Sequence, residues 1–172
     1  MNLISLSLKT NQIIMKKCVL IFALAFLGTN AFAQDIDAIG KLYNDKKYAD
    51  AKTAIDKFLA DTKNANNADA WYFKGRIYNS LAAEATTPKA QAFEYRLKAF
   101  EAYQNNQKYD AKDLRLKVDM WVPYLEIYAG LYDLGAAQFN DKDYESSLNS
   151  FAKALEVENF ILAKKYEYSQ IK

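Results

Sequence analysis

The residue types that most often carry chemistry are scarce in this chain. Among 172 residues there is no histidine and a single cysteine, Cys18. The commonest general base and metal ligand is therefore missing, and most triad and metalloenzyme chemistry goes with it. Asn140-Asp141-Lys142-Asp143 is rich in oxygen ligands, but the glycine and closing glutamate of a calcium loop are absent. It predicts a solvated turn with capping carboxylates. The pairs Asp35/Asp37 and Glu156/Glu158 cannot serve as acid and base, because residues two apart on a helix do not face each other. No glycine-rich phosphate loop exists, and no nucleophile has a base beside it. The expectation is a protein that is not an enzyme and uses neither metal nor cofactor.

The elements that would position any functional residue are helical. Only five glycines and two prolines punctuate a chain that is 51% apolar and 15% aromatic, too few for the turns of an all-β fold. Thirteen tyrosines and ten phenylalanines fall mostly at helical spacing, which predicts core positions rather than a cofactor box.

The chain opens with the pattern of an export signal. Lys16-Lys17 precedes the apolar run Val19 to Leu27, and Ala31-Phe32-Ala33 follows it as a cleavage site before Gln34. Nine residues span about 14 Å as a helix, roughly half of a bilayer core. This predicts a signal peptide over 1–33, with Met15 a natural start for it, and delivery to the periplasm or beyond. Cleavage removes three lysines and no acid, which leaves 20 basic against 21 acidic residues. No positive field remains to favour nucleic acid or an anionic membrane. Cys18 precedes the apolar run instead of following it, so it is misplaced for lipid attachment, and the exported chain keeps no thiol.

The remainder repeats itself. At an offset of 96, Tyr43-Asn44-Asp45-Lys46-Lys47-Tyr48 aligns with Phe139-Asn140-Asp141-Lys142-Asp143-Tyr144, and Ile55, Lys57 and Leu59 align with Phe151, Lys153 and Leu155. Between the copies, Trp71, Gly75, Tyr78 and Ala82 mark one face of another helix. This pattern resembles the tetratricopeptide repeat family, whose helix-turn-helix unit carries W-x2-L-G-x2-Y in its first helix and A-x3-F-x2-A in its second. Departures are present: Lys74 stands in a leucine place, Ile39 in a small-residue place, Phe58 in an alanine place, and no copy closes with proline. From small-residue place to second-helix alanine place is 19 residues in the first and last copies but 24 in the middle one. Five extra residues are therefore expected in the loop around Ala83 to Lys89.

The resemblance implies an all-α, short solenoid of antiparallel helical hairpins at about 35–60, 68–105 and 120–158, with a final helix at 161–172, all within a domain over 34–172. Thr87-Pro88 predicts an N-cap with proline in the first turn. Asp119 predicts a cap for the helix containing Pro123. An insertion, Asp110 to Trp121, has Leu114, Val118 and Trp121 at helical spacing and is expected to form a short extra helix or to lengthen its neighbour. By the same resemblance, a concave groove lined by Asn44, Tyr72, Arg76, Asn79, Tyr132 and Asn140 would hold a protein or extended peptide of the cell envelope. The alternative is a part in glycan uptake, like the starch-binding outer-membrane proteins that contain such repeats.

Overall fold

Two turns of near-identical sequence fix the ends of the fold. At Asn44-Asp45-Lys46 and again at Asn140-Asp141-Lys142 the lysine takes a left-handed conformation, φ 58° and 64°. In each, the lysine amide donates to the carbonyl three residues back and the next amide to the carbonyl five back, at 2.9–3.0 Å. These bonds satisfy carbonyls that a helix end leaves open. The aligned copies thus fold into the same turn, with Asp143 also capping Ser146 (3.3 Å).

The computed structural model describes residues 36–164, all within one unit, Gln34–Lys172. Residues 1–35, which include the expected signal peptide over 1–33, and residues 165–172 lie outside the described residues. The described chain is all-helical: α1 (Ile36–Asn44), α2 (Tyr48–Ala60), α3 (Ala68–Ala83), α4 (Lys89–Tyr109), α5 (Leu114–Val118), α6 (Val122–Asn140) and α7 (Tyr144–Lys164), with a 3₁₀ turn at Thr62–Asn64. Consecutive helices pack in pairs, α1 on α2, α3 on α4 and α6 on α7, and the pairs touch through α2 and α3 and through α4 and α6.

Glycine governs the closeness of two of these contacts. A Cβ on Gly75 would stand 2.5 Å from the Tyr103 ring of α4, and one on Gly135 would stand 3.0 Å from Phe151 of α7. Ile39, in the small-residue place of the first copy, is itself fully buried, and Gly40 beside it meets Phe73 instead. One cluster of Ile39, Ala51, Ile55, Ile77 and Leu81 joins α1, α2 and α3. A second, built on Tyr103, Leu116, Tyr124, Leu131 and Val157, joins α3 to α7. Tyr72, Tyr78, Tyr103 and Tyr124 sit in the core, whereas Tyr132 and Tyr144 are exposed.

Several expectations need correction. The five extra residues of the middle copy are not all in the loop. Gly75 stands eight residues before its helix end, whereas Ile39 and Gly135 each stand five before theirs. Three of the extra residues therefore lengthen α3 and only two lengthen the loop. Thr87 does not cap α4; its hydroxyl donates back to the Leu81 carbonyl (2.7 Å), and α4 starts after Pro88. Asp119 does not cap α6 either, because its carboxylate is taken by the Tyr72 hydroxyl. Left-handed Met120 and Trp121 make that start, with Pro123 in the first turn. The insertion does form a short helix, but it buries Leu116 and exposes Leu114 and Val118. No new helix begins at Ile161, since α7 runs unbroken to Lys164.

Lys74 also finds its reason. Its ammonium lies 3.1 Å from Asp56 of α2 and over the Trp71 ring, so an ion pair occupies the place a leucine would have filled. Burial pushes Asp56 up, but the Tyr78 hydroxyl, Lys74 and Lys52 outweigh it and hold the carboxyl below its ordinary value.

Gly75→Ala is expected to destabilise the fold by about 1–3 kcal/mol, because Tyr103 is fully enclosed and cannot move aside. Lys142→Gly should act in the opposite sense, by about 0.5–1 kcal/mol, since it relieves a left-handed residue. Urea unfolding of the two variants checks both signs.

Candidate functional site

Four helices share one cleft of about 670 Å3. Arg76, Asn79 and Ser80 of α3 line one side, Val122, Glu126 and Asp133 of α6 the other, and Tyr43 of α1 closes an end. The floor is α4, through Arg96 and Tyr103. A second depression, lined by Tyr72, Arg76, Arg115 and Asp119, adjoins it, with Arg76 and Asp119 common to both.

The cleft is organised around Arg96. Its guanidinium donates to Asn79 Oδ1 and to the Glu126 backbone carbonyl (3.3 Å). Asn79 in turn donates its amide to the Glu126 carboxylate at 3.0 Å, so one amide couples a cation on α4 to an anion on α6. The guanidinium lies flat against α6 because residue 130 is glycine; any Cβ there would overlap it. Burial pulls the Arg96 pKa down, and the nearby charges of Glu126 and Asp133 act against that. Among the described residues no carboxylate comes within 4.0 Å of it.

Arg76 is held by aromatic faces instead. Its guanidinium lies 4.7 Å from the Tyr43 ring centre and 5.8 Å from that of Tyr72, a geometry in which the ring quadrupole attracts the cation. It too has no carboxylate within ion-pair range among the described residues. Tyr72 is 3% exposed and donates its hydroxyl to Asp119. Burial first, and then the bond to Asp119, pushes its pKa up to about 12. Asp119, Glu126 and Asp133 do not gather into a metal site: among the described residues, no group of three His, Cys, Asp or Glu could hold an ion.

Of the six residues expected in a groove, the structure brings three together. Arg76 and Asn79 line the main cleft, and Tyr72 lines the adjoining one with its ring largely buried. Asn44 ends α1 and Asn140 ends α6; both are exposed and line neither depression, although Tyr43, next to Asn44, does. Tyr132 is 53% exposed and packs on Phe151 of α7, away from the cleft. The sequence reading missed Arg96, Glu126 and Gly130. The available signal was a glycine inside an otherwise strong helix, which costs about 1 kcal/mol and so implies a close approach.

What the arrangement offers is a polar trough with fixed donors, two guanidiniums and an amide, beside three carboxylate acceptors. That set suits a ligand presenting both carbonyl or carboxylate oxygens and N–H groups, as a peptide backbone does.

Because the folded state holds the Tyr72 proton more tightly than the unfolded chain, its contribution is complete below about pH 10 and is lost as pH rises towards 12. Stability should fall across that window, and Tyr72→Phe should flatten part of the fall. At neutral pH the same variant should cost about 1.5–3 kcal/mol, the worth of a hydrogen bond to a charged acceptor. Chemical unfolding from pH 8 to 12 measures both.

No family model matches the chain, and comparisons with curated proteins and with solved structures find no match.

Proposed function

We infer that the chain is an exported, tetratricopeptide-like scaffold that binds an extended peptide of a protein partner in the cell envelope, with the cleft as its binding groove. The single observation that carries the reading is which helices line it. Tyr43, Arg76 with Asn79, and Glu126 come from α1, α3 and α6, the first helix of each successive pair, with Arg96 and Tyr103 of α4 between them. In stacked helical hairpins those first helices form the concave face. The antiparallel arrangement is supported by contacts that descend one helix as they ascend the next. Asn79 meets Arg96, Gly75 meets Tyr103 and Ala68 meets Asn106, while Phe139 meets Tyr144 and Tyr132 meets Phe151.

Export rests on the Lys16-Lys17, apolar run and Ala31-Phe32-Ala33 pattern. Among the described residues no helix is long and apolar enough to cross a membrane. In this reading Arg76 and Arg96 take carbonyl or carboxylate oxygens of the peptide, Glu126 and Asp133 take its N–H groups, and Tyr43 supplies stacking area.

The test is affinity capture of the tagged chain from its own cell envelope, followed by binding of the captured partner to variants. Arg76→Ala should weaken binding by about thirtyfold, as expected for an interfacial arginine worth about 2 kcal/mol. Gly130→Ala should weaken it too while leaving helicity unchanged, since the Cβ displaces the end of the Arg96 side chain and not backbone. Undiminished binding by both variants with unchanged helicity would place the site elsewhere, and a full chain that retains residues 1–33 in the cytosol would remove the export part.

A further inference from the structure

The last helix pair among the described residues carries an exposed apolar face. Tyr132 and Phe139 on α6, and Tyr144, Leu148, Leu155 and Leu162 on α7, are each 53–69% exposed. They form one surface. The Tyr132 ring lies 5.3 Å from Phe151, and Phe139 lies 5.3 Å from Tyr144. Leu148, Leu155 and Leu162 recur every seven residues, which keeps them on one stripe of α7.

The middle helix pair shows what this surface lacks. Phe100 is the eleventh residue after the start of α4, as Leu155 is after the start of α7, and Phe93 and Leu148 each stand four after. Phe100 is buried, edge-on to Tyr124 of α6 and Phe160 of α7, and Phe93 packs in the same cluster. The following helix pair covers both. Leu155 and Leu148 stand in the same places with no following pair among the described residues.

The area is large enough for a stable contact. A large side chain buries roughly 200 Å2, so six at these exposures present about 700 Å2. That passes the upper edge of the largest patch on an ordinary monomer. It also approaches the ~800 Å2 that each partner gives to a standard interface, with polar neighbours at the rim supplying the rest. Head-to-tail stacking of copies is disfavoured, because none of the large apolar residues exposed among the described residues lies on α1 or α2. Among the described residues the other exposed large apolar side chains, Leu114, Val118, Met120 and Val122, are fewer and cluster at α5 and the start of α6, so the larger apolar complement is the same surface on a second copy.

We propose that the α6–α7 face is a self-association surface through which two copies pair about a two-fold axis, leaving both clefts open. An isologous contact of this kind closes at the dimer. Like residues meet like, so the leucine stripe of one α7 packs on that of the other.

The test is the solution mass of the purified full chain by sedimentation over a range of concentrations. A dimer that dissociates on dilution is expected. Leu148→Glu with Leu155→Glu should weaken it at least about thirtyfold without loss of helicity, because both side chains are exposed and bear no core load. Leu162→Glu alone should act in the same direction. Val118→Glu, an equally exposed apolar residue on α5, should leave the dimer intact. A monomer at every concentration up to about 100 μM would overturn the proposal. So would a dimer unaffected by the paired substitution, dissociation caused by Val118→Glu, or a mass that keeps growing with concentration as an open chain of copies.

Discussion

The contact on which the arrangement of helices most depends is the one that Arg96 makes across three of them. Its guanidinium starts on α4, takes the Asn79 side chain of α3 and the Glu126 carbonyl of α6, and lies in the space that Gly130 leaves vacant. Burying a charge is costly unless its hydrogen bonds are met. Here they are met only when all three helices hold their observed places. The same bonds that lock the helices therefore also shape the floor of the cleft.

The two cations of the cleft are held by indirect partners. Arg76 rests against Tyr43 and Tyr72, and Arg96 reaches Glu126 through the amide of Asn79. Elsewhere Lys74 pairs directly with Asp56, and there it serves packing between α2 and α3. The contrast separates a structural cation from the two in the cleft. A guanidinium held by a ring face or an amide keeps donors that a bidentate carboxylate would have occupied.

The sequence made the helices and much of their pairing legible, because the signals were local. The match at an offset of 96 marked two equivalent helix ends, which fold into the two Asn-Asp-Lys turns. The cleft was legible only in part. Tyr72, Arg76 and Asn79 sit one turn apart on α3, so a single helical face carried the inference. Arg96 was hidden because the inserted residues were assigned to a loop, whereas three of them extend α3 and change which α4 residue faces it. Asp119 was misread because a local capping role and a long-range bond to Tyr72 look alike in sequence. Tyr132 was misplaced for a different reason: its counterpart in the middle unit, Tyr72, reaches an acceptor supplied by the next unit, and Tyr132 has none.

The most direct measurement of this account is a double-mutant cycle on unfolding free energy with Asn79→Ala, Arg96→Ala and the pair. If the Arg96 charge is held by the Asn79 amide across α3, α4 and α6, the two substitutions are strongly non-additive, with a coupling of about 1 kcal/mol or more. Additivity within about 0.3 kcal/mol would mean that the two side chains act independently. It would contradict the claim that this contact organises the cleft.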